Sequence, residues 1–273
     1  MIRRRPLLQA LVAAMCLAVI FPVYWAAVTS FQYREKLYVF PPPFLPGKFS
    51  LGNYLDVFRE SGLALWLYNS FFVSAAATVA SVLLAALAAY SLSRFRYRGR
   101  GAMGYLILVT QMLPPTLLVI PIYLIFRDLR LIDTLAGLVV AYTTFALPLC
   151  VWMLKGFFDT IPRELEEAAQ VDGCSRMGAF FRVVVPLSAP GIAATSFYAF
   201  IVAWDEYLLS RTLISSEARW VSSVGLSSFI GAYTTFWDQM MAASLVVALP
   251  PLVIFFFLQR YLVSGLTAGA LKG

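Results

Sequence analysis

The sequence predicts an all-α, polytopic membrane protein with six transmembrane helices and one cytoplasmic docking segment. Three observations carry this. Hydrophobic residues make up 61% of the 273-residue chain and charged residues 13%, far from the averages of soluble domains, roughly half and a quarter. Six apolar segments approach the length of about 20 residues that crosses a bilayer. Between the fourth and fifth lies the one long water-soluble stretch, Thr160 to Pro186.

The spans read as Leu7–Val28, Leu67–Leu92, Met103–Phe126, Leu135–Met153, Val183–Trp204 and Met240–Leu258. Arg3, Arg4 and Arg5 precede the first, as they would a secretory leader. The apolar run continues through Pro22, Tyr24 and Trp25, past the 7–15 residues of a leader core, so a retained span is expected. The second span is dense in small residues from Ser74 to Ala89, which let helices approach closely in lipid. Prolines recur at Pro22, Pro114, Pro115, Pro121, Pro148, Pro186, Pro190, Pro250 and Pro251. Each frees a backbone carbonyl that protein or cavity water must satisfy, which suits a bundle that opens and closes.

Basic residues set the orientation. With the N-terminus in the cytoplasm, 13 of the 21 Lys and Arg fall on inner segments, the run Arg94, Arg96, Arg98 and Arg100 being the clearest anchor. Both termini and the docking segment then face the cytoplasm. The net charge of +7 reflects this orientation, with no nucleic-acid partner. The outer loop Ser30–Trp66 reads as a stiff, proline-rich stretch. A second outer segment, Ser210–Gln239, is aromatic and too polar to span; it reads as an interfacial loop or one that dips into the membrane.

Several chemistries are excluded. The chain has no histidine, and Cys16, Cys150 and Cys174 are isolated, so no metal site and no His-based triad is expected. The six spans hold no Asp, Glu, Lys or Arg, whereas ion-coupled carriers keep an ionisable group in the membrane. The nearest approach to a phosphate loop, Gly47-Lys48-Phe49, lacks its first glycine and its hydroxyl. The protein therefore hydrolyses no ATP itself and draws its energy from elsewhere. Gln111, Tyr142, Thr143, Thr144 and Trp204 are the polar or aromatic candidates for lining a path, and each fits helix packing equally well.

The docking segment reads as two short helices around a forced turn. Pro162 suits a first turn, and Glu164, Glu166 and Glu167 favour the positive end of the helix dipole. Leu165, Ala168 and Ala169 share a face at i, i+3, i+4, with Glu166, Glu167 and Gln170 turned away from it. Gly173 stands where a left-handed residue is wanted, and Ser175 can cap a second helix running into Val183.

The spacing of Glu167-Ala168-Ala169, Gly173, Val183, Val185 and Pro186 resembles the E-A-A-x3-G-x9-I-x-L-P signature of ABC importer permeases, with valines for Ile and Leu. Two further stretches resemble the carbohydrate branch of that family. Phe200–Leu209 is similar to its F-x3-W-[ND]-E-[FY] run, and Gly265–Gly273 to the G-L-T-x-G-A-[VL]-K-G tail of the second permease in maltose-type pairs.

The resemblance implies a type I importer fold with three parts: residues 1–64, a permease core over 65–262 and a cytoplasmic tail over 263–273. It implies a related permease as heterodimer partner, two ATPase subunits that bind the ATP and Mg, and an extracytoplasmic solute-binding protein, all at a prokaryotic inner membrane. Glu167, Ala168, Ala169, Gly173 and Pro186 would engage the ATPase, with Gly265, Leu266, Thr267, Gly269 and Lys272 of the tail beside them. The expected cargo is a sugar. A glycerol-phosphate-type or polyol solute stays open on the same scaffold, as do, outside the family, a stand-alone channel or carrier and a membrane scaffold.

Overall fold

The computed structural model describes residues 5–41, 43–45, 49–231 and 233–270, with backbone alone at 5–7 and 262–270. Arg3, Arg4, Pro42, Pro46, Gly47, Lys48 and Lys272 lie outside the described residues.

Helix α1 (Arg5–Ser30) packs along α13 (Trp237–Ala270) at one side of the bundle. The short amphipathic α2 (Gly52–Glu60), which its proline-rich flank hides in the sequence, buries Asn53 and Val57. The Asn53 amide donates to the carbonyls of Ser30 and Gln32, each at 2.9 Å, and so pins the outer loop to the end of α1.

The centre is α3 (Leu63–Arg94) packed on α6 (Leu135–Asp159), the most extensive helix pair. Ser74, Ala77, Ser81, Ala85 and Ala89 are all buried at spacings of three and four. Such a stripe of small residues lets two backbones approach closely where lipid offers no hydrophobic drive. Thr134 caps α6 by accepting the Gly137 N–H at 3.0 Å.

Two expected spans are broken. In place of a single Met103–Phe126 helix, α4 (Arg100–Thr110) and α5 (Pro115–Asp128) meet at 97°. Pro115 forces the residue before it out of the helical region, and Pro114 is extended, with ψ 128°. Likewise Val183–Trp204 is two pieces bent by 78° at Ser188. The N-terminal piece comprises α8 (Arg176–Ala179), a π-helical turn over Phe180–Val184 and α9 (Val185–Leu187); the C-terminal piece is α10 (Ala189–Trp204). Pro186 and Pro190 lack the N–H groups a continuous helix would need. The wider π turn absorbs the strain just before Pro186, with the Val185 N–H reaching back to the Phe180 carbonyl.

The segment Ser210–Gln239 is folded, with short helices of its own. With α11 (Leu208–Leu213) and α12 (Ser222–Ser227), it packs into the bundle and buries Val221, Val224 and Phe229. Asn69 on α3 donates to the Trp220 carbonyl at 2.9 Å, and the Ser222 N–H donates to Ser70 at 2.6 Å. Among the described residues four helices are long and apolar enough to span a bilayer, or up to six spans if each bent pair counts as one. Helix α13 runs on as one helix to Ala270, so the expected separate tail begins inside it.

Candidate functional site

The docking segment begins with α7 (Arg163–Val171), which Pro162 precedes in extended conformation instead of entering the first turn. The helix ends as its sequence dictates. Gly173 sits at φ 91°, its N–H donates to the Gln170 carbonyl at 3.1 Å, and the Cys174 N–H donates to the Ala169 carbonyl at 2.9 Å. This pair of bonds is the Schellman closure that a left-handed glycine permits. Ser175 then caps α8 by accepting the Gly178 N–H at 3.1 Å.

The faces of α7 run opposite to simple amphipathicity. The apolar Leu165 and Ala168 are exposed, with Ala169 half-buried beside them. Together with Asp172, Arg182, Val183, Pro186 and Leu187 they line an open groove between α7 and the π turn. Glu167 is exposed next to it. Glu166, expected to turn away with Glu167, is instead the inward residue of the helix. Periodicity marks the apolar side as buried, and here an ion pair holds the helix from its other side.

Glu166 meets two residues from the end of α3. Arg94 donates its Nε–H to one carboxylate oxygen and the Tyr90 hydroxyl donates to the other at 2.9 Å. The Arg94 and Glu166 side chains are only 9% and 6% exposed. Arg94 also donates to the Ile161 carbonyl at 3.0 Å, and Arg163 to the Ser93 carbonyl at 2.9 Å. Ser93 donates to Asp159 at 2.6 Å, whose other oxygen accepts from Lys155 at 2.6 Å. A charged pair this buried is tolerated only when its remaining polar atoms are satisfied, and here both carboxylate oxygens are.

Beneath the network lies an apolar cluster of Tyr90, Leu92, Leu154, Phe158, Ile161, Phe180 and Val184. Phe180 of the π turn stands 4.6 Å from the Tyr90 ring centroid and 6.1 Å from that of Phe158. The docking segment is thus fixed to α3, α6 and the start of the broken fifth span.

The other sequence candidates scatter. Gln111 is exposed at the break between α4 and α5, its amide donating to the Phe145 carbonyl at 3.3 Å. Thr143 is half-buried, its hydroxyl enclosed without a hydrogen-bond partner among the described residues. Tyr142 and Trp204 are 2% and 4% exposed, inside the subunit's own core. Burial explains both choices: Tyr142 faces Glu206 and Ser210, and Trp204 stacks on Phe200 at 5.4 Å. Gly265, Leu266, Thr267 and Gly269 lie on the backbone of α13, and Lys272 lies outside the described residues.

The Trp204-Asp205-Glu206 run has a structural role. Glu206 accepts the N–H groups of Leu209 at 2.8 Å and Ser210 at 3.0 Å, opening α11. Burial holds its carboxyl above the ordinary range despite these bonds. Among the described residues no group of His, Cys, Asp or Glu is arranged to hold a metal ion.

Broken spans around a close-packed pair of helices, with a firmly held hairpin that exposes an apolar face, are the features of a multi-pass membrane component. The chain belongs to the family of binding-protein-dependent transport system inner membrane components, matched over residues 61–268. It is a multi-pass permease component without an ATPase site of its own. It is 39% identical over 254 residues to the sulfoquinovosyl glycerol transport system permease protein SmoH of Agrobacterium fabrum, covering 93% of this chain and 89% of that one. It is 36% identical over 257 residues to the diacetylchitobiose uptake system permease protein DasC of Streptomyces coelicolor, covering 94% and 93%. Its fold matches a chain of a bacterial ABC transporter involved in import of the acidic polysaccharide alginate. There the TM-score is 0.81 at 21% identity, over 94% of this chain and 95% of that one.

Proposed function

We propose that the chain is the sugar-translocating permease subunit of an ATP-driven importer, paired with a related permease, energised by two ATPase subunits and supplied by an extracytoplasmic solute-binding protein. The observation that carries this is the apolar face of exposed Leu165 and Ala168 and half-buried Ala169 beside Glu167, held on a helix whose other side is locked to α3. A hairpin fixed this firmly from within and left apolar without is shaped to receive force from a soluble partner. Both termini and the hairpin face the cytoplasm, where the basic run Arg94–Arg100 lies.

In this reading Glu167 anchors the ATPase, Ala168 and Ala169 permit close approach, and Gly173 and Pro186 aim the two ends of the hairpin. The end of α13, with Gly265, Leu266, Thr267, Gly269 and Lys272, lies against the same ATPases. Closure of the ATPase pair draws the hairpins together, and the broken spans rock as rigid bodies between inward- and outward-open states. Gln111, open at the α4–α5 break, and Thr143 face the path; Tyr142 and Trp204 support it from within the subunit. The sugar class rests on the relatives, among them a sulfoquinovosyl glycerol transport permease and a diacetylchitobiose uptake permease.

The test is reconstitution of the purified complex in proteoliposomes with candidate sugars. The expected result is uptake that needs both ATP and the binding protein. Uptake by this chain alone, without ATP, would make it a channel or carrier and end this reading.

A further inference from the structure

The hairpin is tied to the bundle through its two chain ends and by a further route that has no covalent continuity. Thr160–Pro162 join α7 back to α6, while one route follows the chain forward, from α7 through Gly173, α8 and the π turn into α10. It passes a left-handed glycine, a π turn and a 78° bend at Ser188, three places where a helix yields most easily. The other crosses 72 residues of sequence in a single contact, from Glu166 to Arg94, with Tyr90 as second donor. It reaches the last turn of α3, a helix of 32 residues that packs on both α6 and α10.

We infer that Arg94 and Tyr90 are positioning residues for transport: gripping Glu166, they form a strap that carries motion of the docking helix directly to α3. The deduction rests on stiffness. A bent, π-wound connection absorbs displacement, whereas a buried pair with both carboxylate oxygens bonded has one arrangement only. Arg94 fixes the registry further by holding the Ile161 carbonyl, just before α7, at 3.0 Å. Arg163 repeats the link from the first residue of α7 to the Ser93 carbonyl at 2.9 Å. Three donors from the docking side and the α3 end thus converge on one junction. Pulling α7 outward without moving α3 would strand a buried carboxylate and a buried guanidinium. The two elements therefore move together, and the small-residue contact of α3 with α6 turns with them.

This inference rests on the importer reading, and the experiment separates the two. The full complex is purified as wild type, as the neutral double variant Arg94→Gln/Glu166→Gln and as Tyr90→Phe. Co-purifying ATPase, ATP hydrolysis and binding-protein-dependent uptake are measured for each. The double variant leaves no unpaired buried charge, so it retains the assembly. Its uptake per ATP hydrolysed is expected to fall by roughly tenfold, within the usual range of coupling between sites. Tyr90→Phe, which removes one bond, should lie between it and the wild type, and the swapped pair Arg94→Glu/Glu166→Arg should recover part of the loss.

Unchanged uptake per ATP in the double variant overturns the strap. So does a parallel fall of uptake, hydrolysis and bound ATPase in both variants, which a merely structural pair would give. A wild type that carries no ATPase overturns the importer reading itself, and with it the strap.

Discussion

Two ion pairs hold distant segments of this bundle together, and they differ most in their exposure to water. In the inner pair, beside the docking hairpin, Arg94 grips Glu166 across 72 residues, with side chains 9% and 6% exposed. In the outer pair, away from the hairpin, Arg219 donates to Asp133 across 86 residues at 2.6 Å, with side chains 48% and 30% exposed. Asp133 also accepts the N–H groups of Ser216 at 2.9 Å and Ser215 at 3.1 Å. The outer pair fastens a turn whose backbone bonds already fix it. The inner pair orients a helix that exposes its apolar face and so lacks the usual burial to hold it. Where burial cannot position a helix, a dry ion pair takes over that task.

The largest effect should come from breaking the inner pair on one side only. Arg94→Ala leaves Glu166 charged and enclosed, which typically costs about 3–5 kcal/mol; thermal unfolding of the purified chain in detergent measures it. Screening by salt should barely alter that loss, because the pair is shielded from solvent.

Next come two glycines that separate steric from conformational cost. A Cβ on Gly191 would stand 2.3 Å from the Phe157 ring, so Gly191→Ala should destabilise by about 1–3 kcal/mol through overpacking between α10 and α6. Around Gly173 nothing lies within 4 Å of such a Cβ, but φ is 91°. Gly173→Val should therefore cost about 1–2 kcal/mol from backbone strain alone. The same scan should show Gly191→Ala melting the bundle and Gly173→Val mainly lowering transport-coupled hydrolysis.

The smallest effect belongs to the outer pair. Asp133→Asn should cost about 1 kcal/mol or less, and less still in high salt. Its carboxyl is held below the ordinary value, first by the Ser216 N–H and also by Ser215 and Arg219. A depressed acid contributes stability above its unfolded value, near pH 4, and loses it as pH falls through the lower folded value. In an acid titration, wild type should thus exceed Asp133→Asn in stability by that small margin above about pH 4, and the two should converge as pH falls below it. If Asp133→Asn cost as much as Arg94→Ala, burial would not be what distinguishes the two pairs.

Composition and hydropathy made the helical membrane class legible, because lipid leaves a chain few options. The left-handed Gly173 and the Ser175 cap were legible for the same reason: each answers a local backbone need that the residue type alone can meet. The breaks at Pro114 and Ser188 escaped a hydropathy reading because bending does not alter apolar content. Glu166 escaped because periodicity assigns charged residues to the outside. Its partner lies 72 residues away, a distance over which no local pattern speaks. The one hint was Arg94 itself, first of a basic run yet placed at the last turn of an apolar helix. Tyr142 and Trp204 have chemistry that suits a pathway, and both are buried within this subunit. The short α2 and the buried outer segment are held by side-chain amides and hydroxyls such as Asn53, Asn69 and Ser70, contacts that hydropathy does not register.

The central claim is that the exposed face of α7 receives an ATPase, and one measurement tests it most directly. The tagged chain is purified in mild detergent as wild type and as Ala168→Arg, and the mass of each intact complex is recorded. Ala168 is exposed and contributes nothing to the core, so the variant should fold and keep its partner permease. The account predicts two ATPase subunits on the wild type and none on Ala168→Arg. Two ATPase subunits retained by Ala168→Arg, or none on the wild type, would contradict it.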